Sequence, residues 1–400
     1  MTTTTRARNF AHQREAARAA HPSARPRPKR PVRGPAPSGF LGLFGVFVVL
    51  NLIGLVMVLS ASSVTALNHE GSSYYYFERQ LLWTVAGAAV MVLMLRFDYR
   101  RLRLSAVPLL AVSAALLVVV LVPGVGQSVN GSSRWIGIGS FGIQPSEFAK
   151  LAILVFAADL LARRQARIHD TRVTLRPVLV TFSVFAGLIM LQPNLGTTIV
   201  IAAITFSVLF VAGTPLTSLA GWGIVGTCLA GMASMGESYR RARILAFLHP
   251  WNDPLNTGYQ TIQSQVSLAS GGLFGVGLGA SRAKYGFLPY AHTDFIFAII
   301  GEELGIVGAM LVVALFVLLG FLGVRTAVRT SDPFARMLAV GITSWFCVQA
   351  FVNIGAVIGV LPITGVPLPF ISFGGSSLLA TMAAAGILLN VARNAPGSPR

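Results

Sequence analysis

Phe40-Leu-Gly-Leu-Phe-Gly-Val-Phe-Val-Val-Leu-Asn-Leu-Ile-Gly-Leu-Val-Met-Val-Leu-Ser-Ala61 is an apolar run without a single charged residue. About 20 such residues in a helix cross the hydrocarbon core of a bilayer. The apolar stretch of a cleavable leader is shorter, so this run predicts a first span retained as an anchor. Before it, residues 1–38 are rich in Thr, Ala, Pro and Arg and carry Arg25-Pro-Arg-Pro-Lys-Arg-Pro-Val-Arg33. They hold too little apolar surface to build a core and are expected to form a disordered basic tail.

Working outward, apolar stretches bounded by charge, Pro or Gly recur near Leu81–Leu95, Leu104–Val122, Ser146–Leu161, Pro177–Leu191, Leu195–Val211, Leu216–Met235, Phe295–Leu322, Met337–Leu361 and Ser376–Val391. The expected fold class is an all-α integral membrane protein of about ten transmembrane helices, with the polytopic domain in residues 39–392 and a short tail in 393–400. Composition excludes a soluble protein: of 400 residues 54% are hydrophobic and 11% charged, and mean hydropathy is +0.70. Gln192-Pro-Asn-Leu-Gly196 separates the fifth span from the sixth. Interrupted helices survive at membrane depth only where protein or a wet cavity covers the freed backbone, which predicts a groove near this break. Cys228 and Cys347 lie in apolar runs and are expected to pack rather than pair.

The net charge is +18, from 31 Lys and Arg against 13 Asp and Glu. Most of it falls on one side if there are ten spans: the N-terminal tail, the Arg96–Arg103, Arg163–Arg176 and Arg325–Arg336 loops, and the tail with Arg393 and Arg400. The positive-inside rule makes that side, and both termini, cytoplasmic, so the charge is topological and nucleic-acid binding is set aside. Gly236–Thr293 then becomes a long extracytoplasmic loop between the seventh and eighth spans. Arg79, Arg134, Arg240, Arg241, Arg243, Arg282 and Lys284 fall on the outer side, where the rule predicts few cations. Either long loops escape the rule, or these cations meet an anionic ligand at the outer membrane surface.

Five acids fall within or at the ends of spans: Glu147, Asp159, Asp294, Glu302 and Glu303. An ionisable group at membrane depth is costly enough to suggest a function. Asp159 is four residues before Arg163, which fits a local ion pair. Glu147 and Lys150, at i and i+3 where a helix starts after Gln144-Pro145, read as a cap with a local ion pair or as a carboxylate and ammonium lining a groove beside Arg134. Asp294 ends the long loop, where it could cap the next helix or act as a base for a substrate with its polar head outside. Glu302 and Glu303 lie about 12–14 Å deeper and are expected to pair inside the bundle. The stretch Gly271–Lys284 lacks a preceding strand and a Gly-Lys-Ser/Thr ending, so it is neither a dinucleotide nor a nucleotide-triphosphate loop. Its alternatives are a phosphate cradle helped by Arg282 and Lys284 or a re-entrant loop. No metal-ligand spacing appears.

Ordered blocks then carry a resemblance: Ser133-Arg-Trp-Ile136, Gln144-Pro-Ser-Glu-Phe-Ala-Lys150, Gln192-Pro-Asn-Leu-Gly196, Gly258-Tyr-Gln260, Gln263-Ser264, Gly277-Leu-Gly-Ala-Ser-Arg-Ala-Lys284, Leu288-Pro289, His292-Thr-Asp-Phe-Ile-Phe-Ala298, Glu302-Glu-Leu-Gly305 and Leu368-Pro-Phe-Ile-Ser-Phe-Gly-Gly-Ser-Ser377. From first span to last the chain resembles the SEDS family (shape, elongation, division and sporulation), the polytopic peptidoglycan glycosyltransferases that include FtsW and RodA. His249-Pro-Trp-Asn-Asp-Pro254 and Gly277–Lys284 look like the FtsW division branch. The basic tail and Tyr290-Ala291 depart from the family pattern.

The resemblance implies polymerisation of lipid II into glycan strands during septal cell-wall synthesis, with inversion and loss of undecaprenyl pyrophosphate. Asp294 fits the catalytic base. Arg134, Glu147, Lys150, Arg243, Gln263, Ser264, Arg282, Lys284, His292 and Ser376 are the candidates for substrate binding. Arg134, Lys150, Arg243, Arg282 and Lys284 would face pyrophosphate, Arg134 and Lys150 foremost, and a divalent cation (Mg or Mn) could share that charge. Expected partners are a class B penicillin-binding protein transpeptidase, other divisome membrane proteins and membrane lipid, at the septum of a bacterial cell membrane. The alternatives are a lipid II flippase or transporter, an elongation-type polymerase, and a scaffold that only recruits division partners.

Overall fold

The computed structural model describes residues 38–129, 132–138, 141–167, 170–236, 241 and 246–395. The basic tail up to residue 37, Arg240, Arg243 and residues 396–400 lie outside them. The long helices are α1 (Ser38–Glu70), α2 (Tyr75–Arg96), α3 (Leu102–Leu121), α4 (Pro145–Arg163), α5 (Arg176–Met190), α6 (Leu195–Ala212) and α7 (Leu216–Gly236). A short helix, α8 (Tyr259–Ser270), follows, and then α9 (Ile296–Arg329), α10 (Pro333–Val357) and α11 (Gly375–Asn394).

Eight of these helical segments are long and apolar enough to cross a membrane. The two other expected spans differ for stated reasons. Helix α4 contains Glu147, Lys150, Asp159 and Arg163, too many charges for a helix that faces lipid all round, and it buries most of its length among its neighbours. The described apolar part of α7, Leu216–Cys228, is shorter than a span, and Cys228 is exposed rather than packed.

One non-helical element joins the bundle. β1 (Gln127–Val129), β2 (Ser132–Ile138) and β3 (Phe141–Ile143) form an antiparallel meander between α3 and α4, with Gln127 opposite Trp135 and Gly137 opposite Gly142. Two strands have only three residues, too few for an alternating pattern to show in the sequence.

The Arg-rich connections meet at one end of the bundle. Asp332 accepts from Tyr99 Oη at 3.2 Å and from Arg103 Nη2 at 3.1 Å, while Asn390 Nδ2 donates to the Met94 carbonyl at 2.9 Å. Asp159 pairs with Arg163 at 2.9 Å, as the i,i+4 spacing predicts. The opposite end carries the meander, the α5–α6 break, the segment before α9 and the α10–α11 connection. Close approach there requires glycine: a Cβ on Gly196 of α6 would sit 2.1 Å from Val366 Cγ2.

Candidate active site

Four elements build this end around the connection from Ile363 to Gly374, two of them bonded to it directly. The first is the turn before α9. Ser372 Oγ donates to the Thr293 carbonyl at 2.6 Å, and the Phe373 amide donates to the His292 carbonyl at 3.0 Å. The His292 ring lies 4.7 Å from Tyr76 and 5.7 Å from Phe373, centroid to centroid. Burial among these rings pushes the imidazole down to about 4.

The second element is α10. Asn353 Nδ2 reaches two carbonyls, those of Asp294 and Val366, each at 2.8 Å. One turn earlier Gln349 Nε2 donates to the Pro367 carbonyl at 2.8 Å. These two amides, four residues apart in an apolar helix, escaped a reading of the sequence that surveyed charges alone. The same cost of polar groups at membrane depth would have flagged them.

Asp294 lines a cleft with Asn353, Val357, Thr364, Gly365 and Val366. The N-cap of α9 is Phe295, so Asp294 stands one residue before the cap position. Asn353 Oδ1 and Thr364 Oγ1, both cleft residues, are buried without a hydrogen-bond partner among the described residues. Such atoms are costly unless a ligand satisfies them.

The third element is the α5–α6 break. Arg134 of β2 donates from Nε to the Gln192 carbonyl at 2.8 Å and from Nη2 to the Pro193 carbonyl at 2.5 Å. The meander thereby caps the freed backbone, as the break demanded, and leaves the guanidinium half-buried at this end.

The fourth is α4. Lys150 is 0% exposed and Glu147 2%. The ammonium donates to both Glu147 oxygens at 2.9 Å and to Gln349 Oε1 at 2.9 Å, and lies 4.7 Å from the centre of the Trp345 ring. All three protons are directed to protein acceptors, so the pair does not line an open groove and Lys150 does not present itself to pyrophosphate. This corrects the groove reading of both residues. Ser376 is likewise buried: it donates to the Gly142 carbonyl at 3.0 Å and accepts from the Gln144 amide at 3.1 Å, tying β3 to α11 rather than facing substrate.

The glycine-rich stretch belongs to a separate network. Ser281 Oγ donates to Glu302 Oε2 at 2.5 Å and the Arg282 amide to Glu302 Oε1 at 2.8 Å. Ser60 of α1 donates to both Glu303 oxygens, at 2.6 and 2.7 Å. Both acids thus pair inside the bundle as expected. Lys284 is 5% exposed, 3.9 Å from Glu303 and bonded to the Gly279 carbonyl, which corrects its assignment to pyrophosphate. The amides of Val276 and Gly277 donate to the carbonyls of Glu302 and Glu303, so these two are spent on α9 and not offered to a phosphate. The stretch fits there because α9 breaks at Gly305, whose φ of +68° suits only glycine and where a Cβ would meet Leu273 O at 2.4 Å. Arg282 remains exposed at the loop edge. Ser264 of α8 is buried, donating to the Thr261 and Val357 carbonyls at 2.9 Å each, which makes it a packing contact with the end of α10. Gln263 beside it is half-buried. No group of three or more His, Cys, Asp or Glu converges as a metal site among the described residues.

A family model described as cell cycle protein, covering FtsW, RodA and SpoVE, matches residues 41–396. The probable peptidoglycan glycosyltransferase FtsW of Geobacter metallireducens is 42% identical over 352 residues, 88% of this chain and 94% of that protein. Stage V sporulation protein E of Bacillus subtilis is 44% identical over 351 residues, 87% of this chain and 95% of that one. Among solved structures, a chain from a peptidoglycan synthase complex studied for its coordination of polymerization and crosslinking is 32% identical, with a TM-score of 0.74 over 88% of this chain and 97% of its own.

Proposed function

The chain belongs to the FtsW, RodA and SpoVE family of membrane-embedded cell cycle proteins, and from that premise we propose that it polymerises lipid II into glycan strands during septal wall synthesis. It is a peptidoglycan glycosyltransferase. The observation that supports this mechanism is the place of Asp294, which lines the cleft and is held by its carbonyl to Asn353.

In the reaction the 4-hydroxyl of an acceptor GlcNAc attacks the anomeric carbon of a donor MurNAc. Asp294 takes the hydroxyl proton as the new C–O bond forms. The bond from that carbon to the pyrophosphate oxygen breaks, and undecaprenyl pyrophosphate leaves with the electron pair and with inversion. A single base suffices, because pyrophosphate is a good leaving group that needs charge neutralisation more than protonation. Of the candidate cations, Arg282 is exposed and suits the pyrophosphate, with Arg134, half-buried and also bonded to the Gln192 and Pro193 carbonyls, as the second. No step is routed through a divalent cation.

A flippase would hold ionisable groups on a water path at membrane depth. Glu147, Lys150, Lys284, Glu302 and Glu303 are each 5% exposed or less and internally paired, which supports the polymerase reading instead. The structural relative from a synthase complex supports a class B penicillin-binding protein as partner, alongside other divisome proteins. The clustering of the Arg-rich connections at one end supports cytoplasmic termini.

The test is Asp294→Asn. Asn keeps the shape and the backbone contact to Asn353, so the variant is expected to fold and bind lipid II while losing roughly 10²–10⁴ in polymerisation rate. A monodisperse variant that binds lipid II and polymerises at more than about half the wild-type rate would remove Asp294 from the role of base.

A further inference from the structure

We propose that α5 and α7 hold an anionic phospholipid in the leaflet next to the Arg-rich connections, its phosphate on Arg176 and an acyl chain lying between the two helices. This site is independent of the glycosyl-transfer chemistry and lies at the other end of α5 from the break that Arg134 caps.

The groove offers about 390 Å³ and is lined by Arg176, Leu179, Val180, Ser183 and Val184 of α5 and by Trp222 of α7. Residues three and four apart share one helix face, so the α5 contribution is a single stripe. From Arg176 to Val184 it runs about 12 Å, close to the ~15 Å depth of one leaflet. Spread over that length, the space averages roughly 33 Å² in section, well below the ~80 Å² of a helix 10 Å across with its side chains, so an acyl chain fits where a helix would not. The wall is open to the bilayer: Val180 is 54% exposed and Val184 52%.

The two ends are chemically distinct. α5 and α7 both begin at the same end of the bundle, because α6 crosses once between them, and Trp222, six residues or about 9 Å into α7, lines the groove beside the α5 stripe. The Arg176 guanidinium is exposed and has no hydrogen bond or ion pair among the described residues. Arg164 is tethered nearby through the Val173 carbonyl, adding a second positive charge, while Asp170 accepts from the Val173 amide at 3.3 Å. A guanidinium above an apolar, one-leaflet-deep groove matches a phosphodiester headgroup with hydrocarbon beneath it.

The experiment uses the full chain in phosphatidylcholine nanodiscs with a trace of photoactivatable phosphatidylglycerol, crosslinks being mapped by mass spectrometry. Crosslinks are expected on 179–184 and around Trp222, competed by unlabelled phosphatidylglycerol and not by added phosphatidylcholine. Arg176→Gln should lower the yield roughly fivefold, the effect of one basic group at an anionic surface. Val180→Trp, which fills the groove from its lipid-facing side, should abolish the labelling with Arg176 in place, and Arg325→Gln in another basic connection should leave it unchanged. Equal competition by phosphatidylcholine, labelling unaffected by Val180→Trp, or a groove protected only when a single-span partner protein is added would overturn the proposal.

Discussion

Lys150→Met removes an ammonium that is 0% exposed and holds both Glu147 oxygens and Gln349 Oε1 at 2.9 Å. Gln349 Oε1 keeps a donor, since Trp345 Nε1 reaches it at 2.7 Å. The cost therefore falls on Glu147, 2% exposed and left charged without a counter-ion, a loss of about 3–5 kcal/mol for one member of a buried pair. Replacing both members, Glu147→Leu with Lys150→Met, removes the stranded charge, and such exchanges are often neutral or stabilising by about 1–4 kcal/mol. Equilibrium unfolding in mixed micelles should show the single variant destabilised by about 3–5 kcal/mol and the double variant within about 1 kcal/mol of wild type. Polymerisation by the double variant should exceed that of the single one, because the α4–α10 contact that supports the Asp294 cleft is restored by packing. A single variant within about 1 kcal/mol of wild type would mean that Lys150 meets water or ligand instead of Glu147, and the structural reading of the pair would fall.

Three further outcomes can be checked. A cysteine at Leu255, 81% exposed in the loop before α8, should react with an impermeant maleimide from outside the cell in a cysteine-free background; labelling from the cytoplasm alone would invert the topology. Deleting residues 1–37 should leave polymerisation in detergent near wild type, and a large loss would assign the tail a part in the chemistry. Because His292 titrates near 4 when folded against 6.5 for the free group, the native state favours the neutral ring; stability contributed by it is complete above pH 6.5 and lost as pH falls from there through 4. His292→Phe should flatten that part of the stability profile, and an unchanged acid limb would refute the assignment.

The sequence by itself determined whatever depends on neighbouring residues. Run length against bilayer thickness gave the anchor at Phe40–Ala61, now part of α1, and the i,i+4 spacing gave the Asp159–Arg163 pair. Charge at the edge of an apolar run singled out Asp294, and Gln192–Gly196 announced the α5–α6 break. Tertiary structure alone decided the partners. Lys150 meets Gln349, 199 positions away, Ser376 meets Gly142, and the glycine-rich stretch spends the Val276 and Gly277 amides on α9. A helix that is apolar on every side carries little record of which face meets a neighbour and which meets lipid, since the periodic contrast that orients a helix in water is absent. The same lysine reads identically in sequence whether it faces a phosphate or a buried glutamate, and only the packing of α4 against α10 separates the two.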